Sequence, residues 1–96
     1  MAERRLGARE IEERLGALRD WSREGESIRR EFGFTDFVAA VAFVQRVALA
    51  AEQADHHPDI DIRYDRVTLT LSTHSAGGLT GRDFDLAARA DAAARA

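Results

Sequence analysis

Thr35-Asp-Phe-Val-Ala-Ala-Val-Ala-Phe-Val-Gln-Arg-Val-Ala-Leu-Ala-Ala-Glu-Gln-Ala-Asp-His-His-Pro58 reads as one long helix running into two histidines and a proline. Thr35 has a capping side chain, so the helix is expected from Asp36 to Asp55 or His56. Pro58 ends it, as proline commonly does just past a helix C-terminus. Between Phe37 and Ala54 the polar residues are Gln45, Arg46, Glu52 and Gln53, which form one narrow stripe. A helix apolar over so wide an arc must be covered on more than one side. A sheet of the same chain can cover one side. In so small a domain, the other is expected to meet a second subunit, with small alanines allowing close helix–helix approach.

Working outward, Asp59–Asp65 and Arg66–His74 read as strands joined by a turn at Asp65-Arg66. Ile60, Ile62 and Tyr64 share one face of the first. Val67, Leu69 and Leu71 share one face of the second, with Thr68, Thr70, Ser72 and His74 on the other. Ser75–Gly78 is a loop. Thr80 with Asp83 forms a capping-box pattern that starts a last helix, Gly81–Ala93, with Phe84, Ala87 and Ala88 inward. Upstream, Asp20–Glu24 and Ser27–Phe34 are strands around a Gly25-Glu26 turn. Before them Ile11, Leu15 and Leu18 mark a helix over Arg9–Leu18, with Gly7 as its cap. The order is helix-strand-strand-helix-strand-strand-helix. It predicts an α+β fold, a four-stranded antiparallel sheet with helices packed on one face.

The chain has 96 residues, room for one domain over 1–96. It has no cysteine, which excludes disulfides, thiolate nucleophiles and cysteine-ligated metals. All 14 basic residues are arginine, so there is no Schiff-base or P-loop lysine. A net charge of −3 argues against nucleic-acid or anionic-membrane partners. Met1–Arg9 lacks the apolar core of a signal peptide, and the apolar run Phe37–Ala51 is interrupted by Gln45 and Arg46. The expectation is a cytoplasmic protein without a membrane span.

All three histidines fall where chemistry could gather. His56 and His57 end the long helix, and His74 ends the following hairpin, which folds back toward its own start. Asp55, Glu52 and Asp83 can surround them. A lone histidine at a helix C-terminus is ordinarily a dipole-compensating cap. Three converging histidines, titrating at about 6.5 when unperturbed, form instead the kind of group that general acid–base catalysis uses. A zinc site is the competing reading, since Glu52 and His56 have the i, i+4 spacing. Adjacent helical residues point about 100° apart, which disfavours His56 and His57 as ligands of one ion. Acid–base chemistry without a metal is therefore the expectation, with zinc kept as the lesser alternative. There is no GxGxxG or P-loop, and Gly77-Gly78 reads as a turn.

The pattern Glu52-Gln-Ala-Asp-His-His-Pro58, Tyr64, Ser72-Thr-His74, Gly78-Leu-Thr80 and Asp83 resembles that of the pterin-4a-carbinolamine dehydratase family. The resemblance extends upstream through Trp21, Phe32-Gly-Phe34, Asp36-Phe37 and Arg46-Val-Ala, covering nearly the whole chain. Three positions depart from the family pattern. Gly7-Ala8 stands where Ser or Thr usually starts the first helix. Ile60-Asp61-Ile62 resembles bacterial members. Gly81 stands where an acid is common. None touches a histidine.

The resemblance implies dehydration of 4a-hydroxytetrahydrobiopterin, or a related 4a-hydroxytetrahydropterin, to the quinonoid dihydropterin in tetrahydrobiopterin recycling. It implies His56 and His74 as the proton-transfer pair, acting without a metal or cofactor, with His57 binding the pterin and sharing the acid role. Asp55, Ser72, Thr73 and Ser75 would line the substrate site, and Glu52 and Asp83 would support the histidines. It implies a homodimer or homotetramer through helix 36–55 and metabolic coupling to an aromatic amino acid hydroxylase. The alternative is a non-catalytic interaction role through the same helix. Animal members serve as dimerisation cofactors for a homeodomain transcription factor, and some bacterial relatives are assembly factors without the catalytic motif.

Overall fold

The computed structural model describes residues 4–96; Met1–Glu3, the start of the charged segment read above, lie outside the described residues. The elements are α1 (Ala8–Gly16), β1 (Ser22–Glu24), β2 (Ser27–Gly33), α2 (Phe37–Ala54), β3 (Asp59–Arg63), β4 (Arg66–Leu71), a 3₁₀ turn over His74–Ala76, and α3 (Gly81–Ala94). The sheet is antiparallel throughout, in the order β1-β2-β4-β3, and the helices pack on one face as the sequence predicts.

Register explains which face the helices take. Ile28, Arg30 and Phe32 of β2 stand opposite Leu71, Leu69 and Val67 of β4, and Leu69 and Val67 stand opposite Ile60 and Ile62 of β3. Cross-strand partners share a face, so one apolar surface runs across three strands. Against it lie Phe43 and Val47 of α2, Phe84, Leu86 and Ala87 of α3, and Ile11 of α1, all buried. Each large apolar side chain fully buried there stabilises the fold by roughly 1.5–3 kcal/mol. Phe32 ties the layers together, with ring centroids 4.6 Å from Phe43 and 6.0 Å from Trp21, the latter edge-on.

Arg30 is the one charge on the core face of β2. It stacks over Phe32, 4.1 Å from the ring centroid, and its Nη1 donates to Asp91 at 2.7 Å, beside the Trp21 indole N–H on the same oxygen. The pair fastens the far end of α3 to the sheet. Among the described residues the Arg30 Nε is the one buried side-chain polar atom without a hydrogen-bond partner.

Several boundaries differ from expectation for local reasons. Asp36, not Thr35, caps α2: its carboxylate accepts the Ala39 N–H at 2.8 Å. The first helix stops at Gly16, and Leu18 joins the core from a turn in which its N–H bonds the Leu15 carbonyl. In α3 Leu86 and Ala90 are buried and Ala88 is exposed, so the inward face is rotated from the one expected. Tyr64 leaves the β3 face: it takes the left-handed turn position, φ 52°, and is exposed. At the N-terminus of α1, Gly7 offers no side chain, and the Glu10 carboxylate accepts the Gly7 N–H instead. The hydrogen bond from Arg4, followed by that from the Gly7 N–H, lowers the Glu10 carboxyl to about 2.

By length and composition α2 would pass as a membrane span. Its Ala40, Phe43, Val47, Ala50 and Ala51 are nevertheless buried in the domain. The opposite side carries Phe37, Val38 and Leu49, which are 51%, 74% and 66% exposed.

Candidate active site

The site begins where α2 ends. The His56 N–H bonds the Ala51 carbonyl at 3.0 Å and the Asp55 N–H bonds the Glu52 carbonyl at 3.2 Å, the paired pattern of a Schellman cap. Asp55 holds the left-handed position (φ 49°, ψ 46°) usually given to glycine. This reversal sends two adjacent histidines different ways. His56 turns into the protein and is buried, while His57 stays exposed.

His56 meets α3. Its Nε2 lies 2.6 Å from Asp83 Oδ1, and Asp83 is completely buried. The other Asp83 oxygen, Oδ2, accepts from the Thr73 hydroxyl at 2.8 Å and the Thr80 N–H at 3.0 Å. The Thr73 and Thr80 hydroxyls are 2.8 Å apart, and Thr80 Oγ1 accepts the Arg82 N–H at 3.3 Å. With Thr73 donating to Asp83, Thr80 donates to Thr73, so both hydroxyls are satisfied. The capping box expected at Thr80 and Asp83 is present, and the same carboxylate holds His56.

His57 Nε2 is 2.5 Å from Glu52 Oε2, one turn back on α2. Glu52 thus pairs with His57 and not with His56, contrary to the i, i+4 pairing on which a zinc reading would rest. Among the described residues no three histidine or carboxylate side chains gather as a metal-ligand group.

His74 comes from a shorter strand than expected. β4 stops at Leu71, and Thr73 forms a two-way backbone bridge with Gly78. The bridge closes the 3₁₀ turn His74–Ala76, whose exit needs the left-handed Gly77 (φ 72°). His74 is therefore raised on a turn and exposed, instead of lying on the polar face of a strand.

Asp55, His56, His57, Ser72, Thr73, His74, Ser75 and Arg82 line one cavity of about 290 Å³. All three histidines and the four residues expected to line a substrate site are among them. Ser72 also donates its hydroxyl to the Glu26 carbonyl, and Thr73 is buried in the Asp83 network. Glu52 and Asp83 stand behind the histidines they bond. Arg82 was not anticipated; the only signal for it was its place inside the Thr80–Asp83 cap. A larger cavity, about 480 Å³, lies at the other end of the sheet among Arg19, Asp20, Arg30, Phe34 and Asp91. It holds no histidine, and Arg30 and Asp91 within it are already paired. The chemistry, not the volume, therefore places the candidate active site at the histidines.

Comparison with known proteins identifies the family. Residues 4–93 match the family model described as pterin 4 alpha carbinolamine dehydratase. The chain belongs to the pterin-4a-carbinolamine dehydratase family. A protein of Roseiflexus castenholzii, provisionally named a pterin-4-alpha-carbinolamine dehydratase, is 62% identical over 86 residues, covering 90% of this chain and 92% of its own. One from Nocardia farcinica, with the same provisional name, is 58% identical over 90 residues, covering 94% and 95%. A crystal structure described as a transcriptional coactivator/pterin dehydratase from Brucella melitensis superposes with a TM-score of 0.91 at 42% identity, over 94% of this chain and 98% of that one. A pterin dehydratase-like protein, described as a RuBisCO assembly factor in the alpha-carboxysome, superposes with a TM-score of 0.67 at 27% identity, over 78% and 89%.

Proposed function

We propose that this family member dehydrates a 4a-hydroxytetrahydropterin by histidine acid–base catalysis. The observation that carries the reading is one cavity lined by three histidines, two of them each bonded to a carboxylate. The reaction breaks the C4a–O bond and makes a C4a=N5 double bond. One group protonates the departing hydroxyl, which leaves as water, and another removes the N5 proton, so nothing is oxidised or reduced. Histidine suits both tasks near neutral pH. His56 is held from behind by Asp83, and His74 reaches the same cavity from the turn after β4. Residues on separate elements can act at different points of one bound ring, so His56 and His74 form the proton-transfer pair, with His57 binding the pterin and able to share the acid role.

The test is turnover of freshly generated 4a-hydroxytetrahydrobiopterin by the purified protein, above the uncatalysed rate, before and after exhaustive chelation. The expected result is acceleration that chelation leaves intact. Activity lost on chelation and restored by zinc would replace the acid–base reading with a metal-assisted one. A rate no higher than buffer would favour the non-catalytic alternative, an interaction role. The observation behind that alternative is the exposed apolar side of α2.

A further inference from the structure

We infer that Arg82 is a substrate-recognition residue, donating hydrogen bonds to the carbonyl edge of the pterin's pyrimidinone ring. The inference rests on the dehydratase reading and goes further, by assigning orientation of the ring to a residue outside the histidine–carboxylate set. Arg82 lies in the first turn of α3, next to Asp83, and lines the histidine cavity. Its Nη2 donates to the Ala54 carbonyl at 2.8 Å and to the Asp55 carbonyl. These are carbonyls that the end of α2 leaves without intrahelical partners, and a cation is electrostatically favoured there. Arg82 thus locks the reversal that separates His56 from His57.

Capping alone does not account for the side chain. A guanidinium has five N–H donors in a rigid plane. Both Nη2 hydrogens are used on the two carbonyls, and among the described residues Nε and Nη1 make no hydrogen bond. A plain ammonium could serve the carbonyls as well; the planar fork with donors to spare could not be replaced so simply. The other polar side chains around the cavity are imidazoles, hydroxyls and the Asp55 carboxylate, all able to accept. Arg82 is the one group among them that cannot accept in any protonation state, so it fits an acceptor on the ligand. Among the acceptors of a 2-amino-4-oxopterin we assign it the C4 carbonyl oxygen, whose carbon is bonded directly to the reacting C4a. Gripping it fixes the distance of C4a from the histidines.

The experiment compares wild type, Arg82→Lys and Arg82→Met in steady-state dehydration and in binding of two non-reacting ligands. One is oxidised biopterin, which keeps the 4-oxo group; the other is its 4-amino analogue, which places a donor there. Binding is followed by pterin fluorescence. Lysine retains a cation for the α2 carbonyls, so Arg82→Lys should stay folded even if Arg82→Met does not. Its KM should rise roughly 10–100-fold, the range for losing a charge-assisted hydrogen bond, and should carry most of the loss in kcat/KM. The wild-type preference for the 4-oxo ligand should collapse toward unity. An Arg82→Lys enzyme with unchanged KM and intact 4-oxo preference would show Arg82 to be a cap only, and so would a loss confined to kcat. A wild type that turns over substrate but does not discriminate the two ligands also overturns the assignment while sparing the dehydratase reading. A wild type that neither binds oxidised biopterin nor turns over substrate defeats both.

Discussion

His56 and Asp83 are 27 residues apart in sequence, yet His56 Nε2 and Asp83 Oδ1 are 2.6 Å apart in the interior of the protein. The contact exists because α2 reverses at Asp55 and α3 starts with Asp83 facing inward. An ionised carboxylate only accepts, so with Asp83 ionised the contact requires a hydrogen on His56 Nε2. One buried aspartate thereby caps α3 and holds the ring of a histidine in the candidate site.

Asp83→Asn should separate those two tasks. If the amide oxygen keeps the Thr73 and Thr80 donors, the amide nitrogen faces His56 Nε2. Two donors then oppose each other unless His56 shifts its hydrogen to Nδ1. The expected outcome is a fall in kcat of roughly 10²–10⁴-fold, as for losing a proton-transfer group. Stability should fall by only about 1–3 kcal/mol, the usual penalty for one unmatched buried polar contact. Nitrogen-15 NMR of the histidine rings reports the tautomer, and kinetics report the rate. A variant with the His56 hydrogen moved to Nδ1 but near-normal kcat would remove His56 from the chemistry.

His74→Ala tests the part of the cavity built by the turn after β4. The side chain is exposed on a 3₁₀ turn whose backbone bonds run between Thr73, His74, Ala76, Gly77 and Gly78 and do not use the ring. Thermal stability should therefore change little, within the roughly ±0.5 kcal/mol typical of surface positions. Turnover should fall roughly 10²–10⁴-fold. The uncatalysed dehydration sets the floor of that measurement, so rates are best taken at high enzyme concentration. Near-wild-type kcat would show that His74 is not half of the proton-transfer pair.

Most of the architecture was legible because its signals are periodic. The apolar run of α2, the alternation Val67-Thr68-Leu69-Thr70-Leu71 and the Thr80–Asp83 cap each specify local structure without help from distant residues. The histidines could be grouped from hairpin topology alone. What escaped were choices between equivalent neighbours. Thr35 and Asp36 both have capping side chains one position apart, and the pattern of the sequence allows either. Either Glu52 or another acid could have faced His56; the left-handed Asp55 turned Glu52's partner into His57. Arg82 was invisible because an arginine beside a cap is ordinarily a surface charge, and its carbonyl partners lie 27 and 28 positions away.

Glu10 should leave a mark on the acid limb of the stability curve. Its carboxyl is held at about 2, chiefly by the Arg4 hydrogen bond and then by the Gly7 N–H. A depressed folded value stabilises the protein above the unfolded value of about 4.3 and loses that contribution as pH falls through the folded one. Glu10→Gln can still accept from Gly7 but has no charge for Arg4. Its melting temperature should lie slightly below wild type at pH 7, and the gap should close between about pH 4.3 and 2. Because the pair is exposed, high salt should shrink the gap as well. A gap that persists unchanged at pH 2 would mean that the charge is not its source.

The last expectation concerns the side of α2 that the sheet does not cover. We propose that a second copy of the chain covers it, as the narrow polar stripe implied. Phe37, Val38, Ala48 and Leu49 are exposed there, interrupted by Gln45, and Phe37, Val38, Val41, Ala42 and Gln45 line a shallow groove of about 310 Å³. A contiguous apolar patch of more than a few hundred Å² is unusual on a monomeric surface. Pairing the same helix across a two-fold axis closes the patch and leaves no open apolar end, giving a dimer or a dimer of dimers. Val38→Asp and Leu49→Asp put a charge on this side at positions 74% and 66% exposed, so the fold of one chain should tolerate them. Buried between subunits, an unpaired aspartate is strongly unfavourable, and each variant should dissociate the assembly without losing its circular-dichroism spectrum. Light scattering at micromolar concentration gives the mass of each. A wild type that stays monomeric there would show that the apolar side of α2 is tolerated in water, and the assembly inferred from it would have to be abandoned.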